Sequence, residues 1–197
     1  MLNTKLDWRE IDSLIMLLNK QGITYLWGNG SATNEDSKDV TPTQLIQRLA
    51  ACNYPLVEHA SISLFILHPE FAPAIIEALK LSPDDVAENI AVMTLATLYL
   101  QQWWFFRLTT SSGKLPDFPE TPFASLWEER HLPPPDDGYG MTGLLASQDY
   151  QQHRYGLPLN FLDDWQNQIN HLFAQEEAHT RKISNEIAEN LVQLSRL

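Results

Sequence analysis

Gly28-Asn29-Gly30-Ser31 follows the apolar run Ile23-Thr24-Tyr25-Leu26-Trp27, and glycines after a strand allow backbone amides to close on a phosphate. The spacing refuses that chemistry. The third glycine of a dinucleotide fingerprint would fall at Thr33, no Walker lysine follows, and Glu35, Asp36 and Asp39 would repel an anion at close range. A Gly-Ser pair before two strand carboxylates would hold magnesium for nucleotidyl transfer. Here Gly30-Ser31 is followed by Asp39-Val40-Thr41, and the second carboxylate is missing. Glu-Glu-x-His occurs twice, at Glu128 to His131 and at Glu176 to His179, with the Glu and His three apart as di-iron bundles require. Such a site also needs a Glu from a helix between the two motifs, and no Glu lies between Glu129 and Glu176. There is no His-Glu-x-x-His, no Gly-x-Ser-x-Gly, and no Arg followed four to six residues later by His. Cys52 has no basic neighbour to lower its pKa and reads as a small core residue. His59 and His68 read as capping or half-buried residues near helix ends. The sequence therefore assigns no catalytic, cofactor-binding or metal-ligating residue, and it implies no cofactor.

One feature exceeds ordinary core demand: Trp103-Trp104-Phe105-Phe106. Four consecutive residues span nearly the full circumference of a helix, so four large rings cannot all face one core. The Pro-rich segment that follows is expected to cover the outward rings; failing that, these four residues are the candidate interaction site for a partner protein or ligand.

The elements that would position these residues are helical. Asp7-Trp8-Arg9-Glu10 has the form of a capping box, followed by Ile11, Leu14, Ile15 and Leu18 on one face and Gly22 as the stop. Thr41-Pro42-Thr43-Gln44 repeats the device and predicts a second helix to Cys52. Pro55 opens a third helix through His68, Pro69 and Pro73 introduce a fourth, and Ser82-Pro83 opens a fifth running to about Leu108. Short connections predict antiparallel neighbours, and Leu49, Pro55, Leu56, Val57, Ala60 and Leu64 have the pattern of a HEAT-like hairpin. Residues 23 to 40 read as an ordered loop, because a single strand cannot satisfy its backbone. Seven of the twelve prolines lie between Thr109 and Asn160, which predicts an extended cover with short helices at Phe123 to Arg130 and Thr142 to Tyr155. A last helix from Asn160 nearly to Leu197 carries Phe161, Trp165, Ile169 and Leu172, then Ile183, Ile187, Leu191 and Leu194. AQEEAHTRK between them is polar all round and predicts a break, a kink or a bridge leaving the body. The fold class is all-α: one domain of 197 residues with a bundle (1–108), a Pro/Gly-rich cover (109–160) and a C-terminal helix or helix pair (161–197).

Composition sets the limits. With 13 Lys and Arg against 25 Asp and Glu, the net charge is −12 and no basic half exists, which argues against direct nucleic-acid binding. The apolar stretch Ile90 to Leu108 is interrupted by Thr94, Thr97, Gln101, Gln102 and Arg107, which argues against a membrane span. A single cysteine and an N-terminus without a signal core predict a cytoplasmic protein.

At LFILHPEFAPAI, NIAVMTLATLYLQQWW and LPDFP…LPPPDDGYGMTGLLA the chain resembles a family of uncharacterised bacterial helical proteins whose genes tend to sit beside one for a nucleotidyltransferase. The similarity covers residues 41 to about 175 and rests on packing and turn residues. It implies a companion role, restraining or completing a transferase, and assigns no catalytic residue. The leading expectation is a non-enzymatic helical interaction module with a protein partner. The alternative is a small-molecule-binding protein or enzyme with a pocket between bundle and cover, where His68, Arg107, Tyr139 or Arg154 would converge. A homo-oligomer joined through the C-terminal helix is a third expectation.

Overall fold

The computed structural model describes residues 7–30, 39–52, 54–112, 118–156 and 160–194. Among the described residues there are nine α-helices and no strand: α1 (Trp8–Lys20), α2 (Pro42–Ala50), α3 (Pro55–Leu67), α4 (Ala72–Leu81), α5 (Asp84–Trp103), α6 (Phe105–Ser112), α7 (Ala124–Glu129), α8 (Met141–Tyr155) and α9 (Phe161–Leu194). The protein is an all-α bundle.

Local sequence explains most of the starts and stops. The Asp7 carboxylate accepts from the backbone N–H groups of Arg9 and Glu10 at 3.1 and 3.3 Å, capping α1. Glu10 does not close the expected box. Its carboxylate instead takes two 2.8 Å bonds from Arg48 of α2, because a charge-assisted fork is stronger than a bond to one amide. The Thr41–Gln44 box of α2 is complete. Gly22 at φ +84° ends α1 in the left-handed region, where a Cβ would be strained.

The organising helix is α5. Every residue from Ile90 to Gln101 is buried, so α5 is covered on all sides and its neighbours are arranged around it. Thr94 and Thr97 survive there by donating their hydroxyls to the carbonyls of Ile90 and Met93. Helices α2, α3 and α4 pack on one side of it, and α7, α8 and α9 on the rest. The hairpin of α2 and α3 forms, but α3 and α4 are bent 105° to each other across Pro69 rather than antiparallel. No single helix among the described residues is long and apolar enough to cross a membrane; α3 and α4 reach that test only together, across the bend.

Beyond Thr109 the described part of the cover is more helical than extended, and it is bound to α5 by specific devices. Gln101 donates its amide to the Phe118 carbonyl at 3.2 Å and accepts from the Phe118 N–H at 2.9 Å. Tyr99 donates its hydroxyl to the Pro133 carbonyl at 2.8 Å. A Cβ on Gly140 would fall 2.1 Å from the Tyr99 carbonyl oxygen, and one on Gly143 would fall 2.1 Å from the Tyr99 ring, so both positions admit only glycine. Arg130, at the C-terminal end of α7, forks onto Glu88 of α5, which also accepts from Tyr150 of α8 at 2.9 Å. Burial alone would raise the Glu88 carboxyl; Arg130, Tyr150 and Arg154 together hold it below the usual range.

Gly143→Ala is expected to destabilise the protein by about 2–3 kcal/mol through overpacking against Tyr99, read as a lower urea midpoint. Arg130→Ala, which strands the Glu88 carboxylate, should cost about 2–3 kcal/mol, and most of that should return in a Glu88→Leu/Arg130→Met protein.

Candidate partner-docking face

Helix α9 is about 51 Å long at 1.5 Å per residue, and it changes surroundings part-way along. Phe161, Trp165, Gln168, Ile169, Leu172 and Phe173 are buried, whereas every residue from Glu177 to Ile187 is exposed. The AQEEAHTRK stretch is therefore a bridge within one continuous helix, without the break or kink that its polarity also allowed.

Two segments line the flanks of α9 where it leaves the body. On one side lies the backbone of residues 22–27. The Gln175 side chain mimics a strand neighbour for it: Oε1 accepts from the Thr24 N–H at 2.9 Å, and Nε2 donates to the Gly22 carbonyl at 2.6 Å. The Thr24 amide and the Gly22 carbonyl are thus satisfied without a second strand. Tyr25 stacks on His171 with ring centroids 4.8 Å apart, donates its hydroxyl to Gln168 at 2.7 Å and lies 2.8 Å from the Ser63 hydroxyl. Burial, only partly offset by the Ser63 bond, pushes the Tyr25 phenol well above its ordinary value, so it serves as a neutral donor. Next comes Trp27, 91% exposed. It forms the wall of an open cleft of about 840 Å³ shared with His171, Gln175, His179 and Lys182.

On the opposite flank lies the aromatic run. It does not form one uniform helix: α5 ends at Trp103, Trp104 takes φ −95° and ψ 12°, and α6 begins at Phe105. Thr109 and Thr110 bond back to the carbonyls of Phe105 and Phe106, a habit that bends helices. Trp103 and Trp104 are half-buried against the core. Trp104 meets Phe173 of α9 edge-on at 6.2 Å, and the Arg107 guanidinium lies over Phe173 at 4.0 Å and over Trp104 at 5.5 Å. Trp104 is thus covered by α9, while the described part of the Pro-rich segment bonds Gln101 and Gln102 just before the run. Phe105 is 39% and Phe106 84% exposed, in edge-to-face contact with each other at 5.9 Å.

The four groups proposed for a pocket under the cover are held in separate places. His68 bonds the Gln21 carbonyl and Glu70, Arg107 lies on α9, Tyr139 stands in solvent, and Arg154 donates to Asn89 and to the Asp85 carbonyl. A cleft of about 540 Å³ does lie between α4, α5 and α7, but its central charges, Glu88 and Arg130, are spent on each other. The glycine loop is likewise occupied: the buried Asp12 carboxylate accepts from the Asn29 N–H at 2.7 Å, placing a negative charge where a phosphate would have to sit. Residues 31–38 of that loop lie outside the described residues. Among the described residues, no three His, Cys, Asp or Glu side chains gather as a metal-ligating group. Cys52 is buried, and its thiol is raised by that burial.

The chain matches no protein-family profile, no curated protein and no solved structure.

Neither the exposure of Trp27 nor the α9 cleft follows from local sequence. The available signal was a tryptophan beside Gly28-Asn29-Gly30, in a segment with no apolar stripe to receive it.

Gln175→Ala should release residues 22–27 and speed hydrogen exchange at Thr24 by about tenfold, the cost of one net hydrogen bond, with exchange in α5 unchanged. A second expectation concerns Glu58 and His59 at the base of α9. Burial, opposed by Arg154, raises Glu58 to about 7, and burial lowers His59 to about 4. Glu58 therefore stabilises fully below about 4.5 and loses that contribution as pH rises towards 7; His59 contributes fully above about 6.5 and loses its share as pH falls towards 4. The slopes oppose each other. Glu58→Gln should steepen the fall in stability between pH 6.5 and 4.5, and His59→Gln should flatten or reverse it, as measured by urea unfolding at fixed temperature.

Proposed function

We propose that this chain is a non-enzymatic helical interaction module whose partner is a protein seated across α9, in contact with both Trp27 and Phe106. The observation that carries this reading is the exposure of those two rings, 91% and 84%, on opposite flanks of one helix. An exposed large aromatic set on a rigid backbone is the residue type that dominates binding energy at protein interfaces. Both rings are positioned: the Gln175 clamp and the Tyr25–His171 stack fix the approach to Trp27, and the Trp104–Phe173 contact fixes the root of α6. Little ordering entropy remains to oppose association.

The net charge of −12 suits a partner that itself binds nucleic acid, since it would present the same sign of charge to a basic surface. A companion or antitoxin-like regulator of a nucleotidyltransferase is the role in keeping with the family resemblance described above. Co-expression with a nucleotidyltransferase of the kind the resemblance implies tests it. A complex is expected to co-elute on size exclusion, and Trp27→Ser and Phe106→Ser should each weaken it by about tenfold or more. Leu81→Ser, at an exposed apolar residue on the end of α4, should leave it unchanged. Absence of a complex, or one indifferent to Trp27 and Phe106, would overturn the reading.

A further inference from the structure

Past Glu176 the apolar stripe of α9 resumes at Ile183 and Ile187, in positions that the described residues leave exposed. At 100° per residue, Ile183 and Ile187 fall on the face that carries Trp165, Ile169 and Leu172 inside the body. They are 43% and 54% exposed, and the sequence places Leu191 and Leu194 at matching intervals further along. An apolar stripe with polar flanks on a helix outside its own core is the form taken by an intermolecular helix pair.

We propose that this free stretch of α9 pairs antiparallel with the same stretch of a second copy of the chain. The charges beside the stripe select both the occupant and the direction. Lys182 and Glu186 occupy one flank of it. In an antiparallel pair each flank meets its own counterpart, whereas in a parallel pair it meets the other flank. Setting Ile183 against Ile187 of the second copy brings Lys182 level with residue 188, within one turn of Glu186. Twofold symmetry makes every such contact twice. In the parallel arrangement the Lys182 flank would meet the other flank of the second helix and lose the contact with Glu186. The antiparallel register also sets residue 194 of one helix level with residue 176 of the other, at the edge of the body, so the two bodies lie at opposite ends of the paired rod.

This inference goes beyond the docking of a partner at Trp27 and Phe106; its apolar contacts, Ile183 and Ile187, lie beyond the Trp27 cleft, whose wall it shares at Lys182. Sedimentation equilibrium of the full chain between about 1 and 100 µM should show a reversible dimer. Ile183→Glu/Ile187→Glu should weaken it by about a hundredfold or more without changing the thermal transition, because both side chains are exposed on their own chain. Lys182→Glu should weaken it and Lys182→Glu/Glu186→Lys should restore it. Mixing Ile183→Cys with Ile187→Cys protein under mild oxidation should form the mixed disulfide in preference to either like-with-like product. A chain monomeric across that range, or cross-links dominated by like-with-like pairs, would overturn the proposal. Neither outcome bears on the Trp27 and Phe106 variants, which report on the docking reading separately.

Discussion

A helix buried on every side cannot lie at the surface of anything, and α5 imposes that constraint on the whole chain. From Ile90 to Gln101 it offers no solvent face. The earlier helices cover part of it and the later chain must return to cover the rest. Gly140 and Gly143 are the consequence, since only a residue without a side chain lets the returning backbone reach Tyr99. The same return explains why Gln101 and Tyr99, polar groups deep in the core, find their partners in Phe118 and Pro133, far along the sequence.

Where α5 ends, that enclosure ends too, and the protein's outward character begins. Trp104 belongs to both regions: its ring rests on Phe173 of α9, while Phe105 and Phe106 point away from that contact into solvent. Helix α9 then performs two tasks with one stripe. Its first half completes the core through Trp165 and Ile169, and its second half carries the same periodicity into water. The polar stretch between them marks the body's edge; the helix runs through it because a continuous backbone ladder loses nothing by crossing from buried to solvated surroundings.

Much of this was legible in the sequence for local reasons. The Thr41–Gln44 box, the stop at Gly22, the proline starts and the short α7 and α8 depend on residues within a few positions of one another. The errors share a cause as well. Glu10 looked like half of a capping box because Arg48 is 38 positions away and its fork outcompetes a single amide. Residues 22–27 are a loop, as their sequence predicts, but what holds them was not legible, because their hydrogen-bonding neighbour is a glutamine side chain about 150 positions later. The cover for Trp104 was assigned to the nearest Pro-rich segment, whereas α9 provides it.

The sequence by itself determined the all-α class, the helix starts and stops, the −12 charge, and the presence of more aromatic surface in residues 103–106 than a single core face can absorb. Those are properties of composition and of neighbours within one or two turns. The tertiary structure alone decided which rings are exposed. Trp27 and Trp104 are the same residue type in comparable apolar runs, yet one stands in solvent and the other rests on Phe173. Burial is fixed by what the rest of the chain brings alongside, and that depends on packing between segments far apart in sequence.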